Sequence, residues 1–296
     1  MSDLLRGFRK GSATLADVNL AYRTGGKGAP LVLLHGYPQS QVMWHAIAPA
    51  LAEDHTVYLF DLPGYGASGT PEGGPARYAK RAMAADIVAA MAQLGHHRFA
   101  VAGHDRGGRV AYRMALDAPD VVTRLAVLDI VPTGAVWNDF SVARALRYYH
   151  WTFLAQPAPL PETLIKADPV DYLDRTMASW TKAKDLSAFH PDAMAAYRAA
   201  FSNPAHLHAM CEDYRAGATV DWTHDDESVA SGARITTPLL VLWGAAFDAG
   251  GGRSPLDVWR AWHDAPEGAP VDAGHFLCEE NPDETLRHLR PFLAGR

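Results

Sequence analysis

The sequence predicts an α/β protein: a mostly parallel sheet flanked by helices, interrupted by an all-helical insertion. Three observations predict it. Apolar runs of strand length alternate with amphipathic stretches up to residue 131, the alternation stops between residues 132 and 227, and it resumes from residue 228 to the end. We therefore expect a core built from 1–131 and 228–296 and a helical cap built from 132–227.

Ser12 to Arg23 alternates loosely around Ala16-Asp-Val-Asn19, the pattern of a β-hairpin. Pro30-Leu-Val-Leu-Leu-His-Gly36 is continuous apolar sequence, as expected for a strand covered on both faces. A helix is predicted over 42–52 and a further strand over Thr56-Val-Tyr-Leu-Phe-Asp61. Met83, Ile87, Met91 and Leu94 recur at helical spacing. Phe99-Ala-Val-Ala-Gly-His104 and Arg124-Leu-Ala-Val-Leu-Asp-Ile-Val131 read as strands on either side of a helix that starts near Arg109. From Pro132 onward the chain offers helical patches rich in aromatics and punctuated by prolines, with no convincing strand. Pro238-Leu-Leu-Val-Leu-Trp-Gly244, a short strand near Ala269-Pro-Val-Asp272 and a helix over 283–293 complete the core.

Composition narrows the class. Hydrophobic residues make up 48% and charged residues 20%, as in an ordinary folded enzyme, and the formal charge of −6 gives no basic face for nucleic acid. No apolar run is long enough to span a bilayer, and the first ten residues lack a secretory h-region. Two cysteines, Cys211 and Cys278, are too few for a disulfide framework and are expected as free thiols in the cytoplasm. There is no paired-cysteine zinc spacing and no H-E-x-x-H, so no metal is expected. Gly64-Tyr-Gly-Ala-Ser-Gly69 matches a dinucleotide fingerprint, but Thr70-Pro-Glu-Gly-Gly-Pro75 continues it as loop, and no cofactor is expected. Asp225-Asp-Glu227 reads as a solvated turn, and Glu279-Glu280 as acids serving the last helix.

The chemistry centres on Gly103-His-Asp-Arg-Gly107. A strand passing into a helix through a glycine-flanked turn is the nucleophile elbow of the α/β-hydrolase fold, and its central residue here is Asp105. An aspartate is ionised at neutral pH and attacks without a base. On a saturated carbon it forms an ester that water can hydrolyse, whereas a serine would end as an inert ether. Asp105 therefore points to dehalogenation or epoxide opening. Gly274-His-Phe276 follows the last strand, where this fold delivers its base, so His275 is the candidate to activate water. The backbone N–H groups of Tyr37 and Arg106 are the expected oxyanion hole.

Further motifs extend the pattern: His35-Gly-Tyr-Pro-Gln39 with Met43-Trp-His45, Asp61-Leu-Pro-Gly-Tyr-Gly66, Arg109, Val127-Leu-Asp-Ile130, Tyr149-His-Trp151 and Cys211-Glu-Asp-Tyr-Arg-Ala-Gly217. With the elbow and Gly274-His-Phe276, the chain from about residue 30 to its end resembles the fluoroacetate (haloacetate) dehalogenases of the α/β-hydrolase superfamily. The resemblance implies that Arg106 and Arg109 hold the substrate carboxylate, a role suited to planar guanidiniums. It implies that His150, Trp151 and Tyr214 receive the departing halide. It selects Asp129 as the acid behind His275, with Asp248, after the next strand, as the alternative. The implied substrate is a small haloacid, and the implied assembly a homodimer. An epoxide hydrolase using Asp105 with Tyr214 and Tyr148 or Tyr149 is the competing reading, and a non-catalytic ligand-binding protein on the same scaffold a more distant one.

Overall fold

The computed structural model describes residues 3–247, 249 and 252–295. The chain opens on an antiparallel hairpin, β1 (Arg9–Thr14) and β2 (Asn19–Gly25), as its alternating sequence predicts. The strands that follow are β3 (Ala29–Leu34), β4 (His55–Phe60), β5 (Phe99–His104), β6 (Val122–Leu128), β7 (Leu239–Gly244) and β8 (Glu267–Val271). They form one eight-stranded sheet in the order β1-β2-β4-β3-β5-β6-β7-β8, parallel from β4 to β8. Leu31 to Leu34 and Phe99 to His104 are buried throughout, which is why these strands read as unbroken apolar runs.

The strand order reverses where β3 sits between β4 and β5, so the carboxyl ends of β3 and β5 open side by side. Such a switch point is where open α/β sheets form their sites. The core helices are α1 (Ala48–Leu51), α2 (Gly74–Arg77), α3 (Lys80–Gln93) and α4 (Asp105–Asp117). The helix expected over 42–52 is broken. A 3-10 turn covers Gln41–Trp44, and α1 begins afresh with Pro49 in its first turn. A proline there has no N–H for the preceding turn and crowds its carbonyls, so one continuous helix cannot pass through it.

Between β6 and β7 the chain is helical, as its aromatic and proline pattern predicts. It forms α5 (Thr133–Trp137), α6 (Val142–Arg147), α7 (Tyr149–Leu154), α8 (Leu160–Ile165), α9 (Pro169–Trp180), α10 (Pro191–Phe201), α11 (Pro204–Gly217) and α12 (Val220–Ala230). The last of these runs through residue 227, where the sequence suggested a return to the core. Asp225 to Glu227 are therefore helix rather than a solvated turn. Asp225 is buried and accepts hydrogen bonds from the Tyr112 hydroxyl and the Gly134 amide, each at 2.8 Å, tying the insertion to α4. Three short helices, α13 (Pro255–Trp259), α14 (Leu277–Glu280) and α15 (Pro282–Leu293), finish the chain. Among the described residues no helix is long and apolar enough to cross a membrane.

Candidate active site

β5 ends at His104 and α4 begins at Asp105, leaving no loop between them. The turn is possible only because Asp105 takes a left-handed backbone (φ 45°), a conformation that costs a non-glycine residue on the order of 1–3 kcal/mol. Its glycines are there for room. A Cβ on Gly103 would lie 2.3 Å from the Gly107 carbonyl oxygen, and one on Gly107 would lie 2.3 Å from that of Leu34. One on Gly36 would lie 2.4 Å from the Asp105 Cβ. The loop after β3 thus presses directly on the elbow. From that loop the Tyr37 N–H donates to Asp105 Oδ1 at 2.8 Å. The Arg106 N–H, the other expected oxyanion donor, lies in the first turn of α4 and has no intrahelical carbonyl to meet.

His275 stands across from the elbow, its Nε2 4.0 Å from Asp105 Oδ2. Its Nδ1 lies 2.6 Å from Asp129 Oδ2. Asp129 is the first residue after β6, also left-handed (φ 54°), and its Oδ1 accepts the Gly244 N–H at 2.8 Å. One carboxylate oxygen is thereby fixed to the backbone at the end of β7 while the other orients the imidazole. Asp248, the alternative acid, lies outside the described residues. Burial pushes the His275 pKa down, but the hydrogen bond and charge of Asp129, with the charge of Asp105, raise it above the ordinary histidine value. Burial pushes the Asp105 carboxyl up, but the charges of His275, His104, Arg106 and Arg109 outweigh it and hold the group below the usual carboxylate value.

The two arginines are both buried, and each keeps a donor without a protein partner. Arg106 gives Nε and Nη2 to the Asp213 carboxylate at 3.0 and 2.5 Å and Nη2 to its backbone oxygen at 2.6 Å; its Nη1 is buried without a protein partner. Arg109 spends Nη1 on Val131 O (2.9 Å) and Thr133 Oγ1 (3.0 Å), leaving Nε unpartnered. Asp213 thus takes one edge of Arg106, whereas among the described residues no hydrogen-bond partner meets the Nε–Nη2 edge of Arg109. The Arg106 guanidinium lies 4.4 Å from the Tyr214 ring centre, and that of Arg109 lies 4.6 Å from Trp151.

A cavity of about 490 Å³ reaches Asp105, and its wall includes Arg109, Asp129, His150, Trp151, Trp180 and His275. Arg106 and Tyr214, expected beside them, are not part of this wall; Tyr214 packs edge-on against His150, 5.7 Å between ring centres. Burial drives the His150 pKa down to about 3, so its ring is neutral at physiological pH, and its Nδ1 has no protein partner. Sequence reasoning missed Trp180, whose ring lies 4.5 Å from His150 and 5.4 Å from His275. It also missed Asp213 and Lys80, which form a buried ion pair beside Arg106. Asp213 had a signal, an acid at the centre of a motif already singled out for Tyr214. Lys80 had none.

With this geometry in view, comparison with known proteins is specific. Residues 29–282 match the family model of the alpha/beta hydrolase fold. A fluoroacetate dehalogenase from Burkholderia sp. is 41% identical over 98% of this chain and 95% of its own. A soluble epoxide hydrolase from Corynebacterium sp. (strain C12) is 33% identical over 95% of this chain and 96% of its own. A solved structure from Nostoc sp. PCC 7120, described as an alpha/beta hydrolase, superposes with a TM-score of 0.94 at 46% identity, covering 98% of this chain and 99% of that one. Fold, elbow and relatives agree: this chain belongs to the alpha/beta hydrolase family and is a hydrolase.

Proposed function

We propose that the protein hydrolyses haloacetates, fluoroacetate foremost, to glycolate and halide. The observation that carries the reading is the pair of cations beside the nucleophile: Arg106 and Arg109 both stabilise the Asp105 carboxylate and both keep a buried donor without a protein partner. A buried, unpaired guanidinium donor is costly unless a ligand meets it, and an anionic substrate supplies the acceptor. A neutral epoxide would not.

In this mechanism Tyr37 N–H holds Asp105 Oδ1, leaving Oδ2 as the attacking oxygen. Oδ2 forms a bond to the α-carbon as the carbon–halogen bond breaks, and the halide leaves with the electron pair. Donors from His150 and Trp151, with Tyr214 alongside, receive it; fluoride needs them most, as a poor leaving group with concentrated charge. The product of this step is an Asp105 ester. The 4.0 Å from His275 Nε2 to Asp105 Oδ2 exceeds hydrogen-bond length, so the base does not engage the attacking oxygen directly. His275 takes a proton from a water, hydroxide adds to the Asp105 carboxyl carbon, and the Tyr37 and Arg106 N–H groups hold the resulting oxyanion. Asp129 stabilises the imidazolium. On collapse the bond from the carboxyl carbon to the ester oxygen breaks, His275 returns its proton to that oxygen to release glycolate, and Asp105 gives its own proton to solvent.

Epoxide hydrolysis is the second reading, favoured by the Corynebacterium relative and by Tyr148 and Tyr149 on the cavity wall. Halide release from fluoroacetate, measured beside diol formation from a neutral epoxide, separates the two. We expect fluoride release that is abolished in Asp105→Ala. Diol formation without halide release would replace this reading with the second.

A further inference from the structure

The cavity changes sign between floor and rim. Its two lining carboxylates, Asp105 and Asp129, are both buried at the floor. Its exposed lining residues include Arg147, Lys182 and Lys184, and no described acid lines the rim. These three cations come from two separate segments of the insertion, the end of α6 and the loop after α9, which converge on one opening.

They are not equivalent. Lys182 Nζ is 2.5 Å from the Asp272 carboxylate, which neutralises it. Arg147 donates to the backbone oxygen of Ala246 at 3.0 Å, and Lys184 to that of Ser179 at 2.8 Å. Among the described residues neither of these two is in an ion pair, so both keep their charge at the opening. Among the described residues Lys184 is also one of three non-glycine residues with a left-handed backbone (φ 61°), the other two being Asp105 and Asp129. Its loop is pinned around it. Thr181 Oγ1 donates to Asp185 O at 2.9 Å, and the Lys182 N–H donates to Glu280 Oε2 at 2.7 Å. Strained backbone that persists on a pinned loop marks a side chain held in place by its surroundings.

The chain as a whole carries a formal charge of −6, so its net field repels small anions and a local gathering of cations stands out against it. A cationic opening above an apolar-walled cavity focuses the field and raises the association rate of anions. We propose that Arg147 and Lys184 form an anion-capture station at the cavity mouth, through which small monocarboxylates pass on their way to Asp105. They are positioning residues: they touch the substrate before the chemistry and take no part in it. The inference rests on the reading that the substrate is an anion.

The test uses the intact protein with trifluoroacetate as anionic probe and trifluoroacetamide as its neutral counterpart. ¹⁹F NMR exchange measurements give on- and off-rates for each at low and high salt. The double variant Arg147→Gln/Lys184→Gln should lower the on-rate of trifluoroacetate about tenfold at low salt, flatten its salt dependence and leave its off-rate near that of the wild type. The on-rate of trifluoroacetamide should not change. Arg147→Lys/Lys184→Arg, which keeps both charges, should behave as the wild type. An unchanged on-rate and salt slope in the double glutamine variant overturns the proposal, as does an equal slowing of both probes or a failure of trifluoroacetate to bind. Fluoride release is read separately. Its absence together with charge-dependent capture removes the proposed chemistry and leaves the station standing, whereas its presence with charge-independent capture does the reverse.

Discussion

Asp213→Asn tests whether the site depends on a buried acid that never touches the cavity. The Asp213 side chain is fully buried and is met by Arg106 through two nitrogens, by Lys80 Nζ, and by the Tyr65 hydroxyl at 2.8 Å. Lys80 also lies 3.5 Å from Asp221, so two cations and two acids balance in one buried cluster. The Arg106 charge and that of Lys80 hold the Asp213 carboxyl well below the usual carboxylate value, against a burial effect that alone would raise it. Asparagine removes one negative charge and turns an NH₂ group toward donors that need an acceptor. Breaking a buried pair from one side costs about 3–5 kcal/mol, and at roughly 2–4 °C per kcal/mol the melting temperature should fall by about 6–20 °C. Arg106 also loses the partner that orients it. One charge-assisted hydrogen bond to substrate is worth about 1.5–3 kcal/mol, so KM for haloacetate should rise roughly 10- to 100-fold. Tyr65→Phe removes a ligand of the same carboxylate without changing charge, and should cost about 1.5–3 kcal/mol and leave KM alone. Calorimetry and steady-state halide release read both effects. A variant Asp213→Asn that melts with the wild type and keeps its KM would refute the argument.

Three further outcomes follow from the same geometry. Asp129→Asn should cut kcat by roughly 10³–10⁴-fold. It should also move the acid limb of the pH–kcat profile to lower pH, because Asp129 is what raises the His275 pKa against burial; an unmoved limb would assign that role elsewhere. Trp151→Phe removes one indole N–H from the expected halide site and should slow fluoroacetate roughly 10- to 100-fold while slowing bromoacetate less, since bromide leaves more readily; equal losses would place the indole outside the leaving-group site. Glu279 accepts from Gln39 Nε2 at 2.5 Å and Tyr197 at 3.0 Å, and burial raises its pKa to about 8 from 4.5. A buried acid with a raised folded pKa contributes its full stability below the unfolded value and loses it as pH rises through the folded one, at about 1.4 kcal/mol per pH unit in between. Urea unfolding at pH 6 and pH 8 should therefore show the wild type losing roughly 2–3 kcal/mol relative to Glu279→Gln, and parallel losses would contradict it.

Asp105, His275 and the sheet around them were legible because each stands in a local pattern: apolar runs, flanking glycines and chain order. Asp129 was legible only through resemblance, since a single acid after a strand carries no periodic signal. What the sequence could not reveal are partners brought together across long stretches of chain. Asp213 meets Arg106 across 107 residues, and Glu279 meets Gln39 across 240. Glu279 and Glu280 look like ordinary helix-start acids. Yet Glu279 is buried between the loop after β3 and α10, while Glu280 takes the Gly274, Phe276 and Lys182 amides and so shapes the turn that carries His275. Arg106 stands next to the nucleophile in the sequence, but which of its edges is free depends on Asp213, a partner no local pattern encodes.

The central claim is that Asp105 becomes an ester and that His275 releases it. His275→Gln should leave the first step running and stop the second. Incubated with fluoroacetate or chloroacetate and examined by intact-mass and peptide mass spectrometry, this variant should release one halide per active site and carry a carboxymethyl group on the peptide containing Asp105. Halide release beyond one equivalent with no modified peptide, or the carboxymethyl group on another residue, would contradict the account.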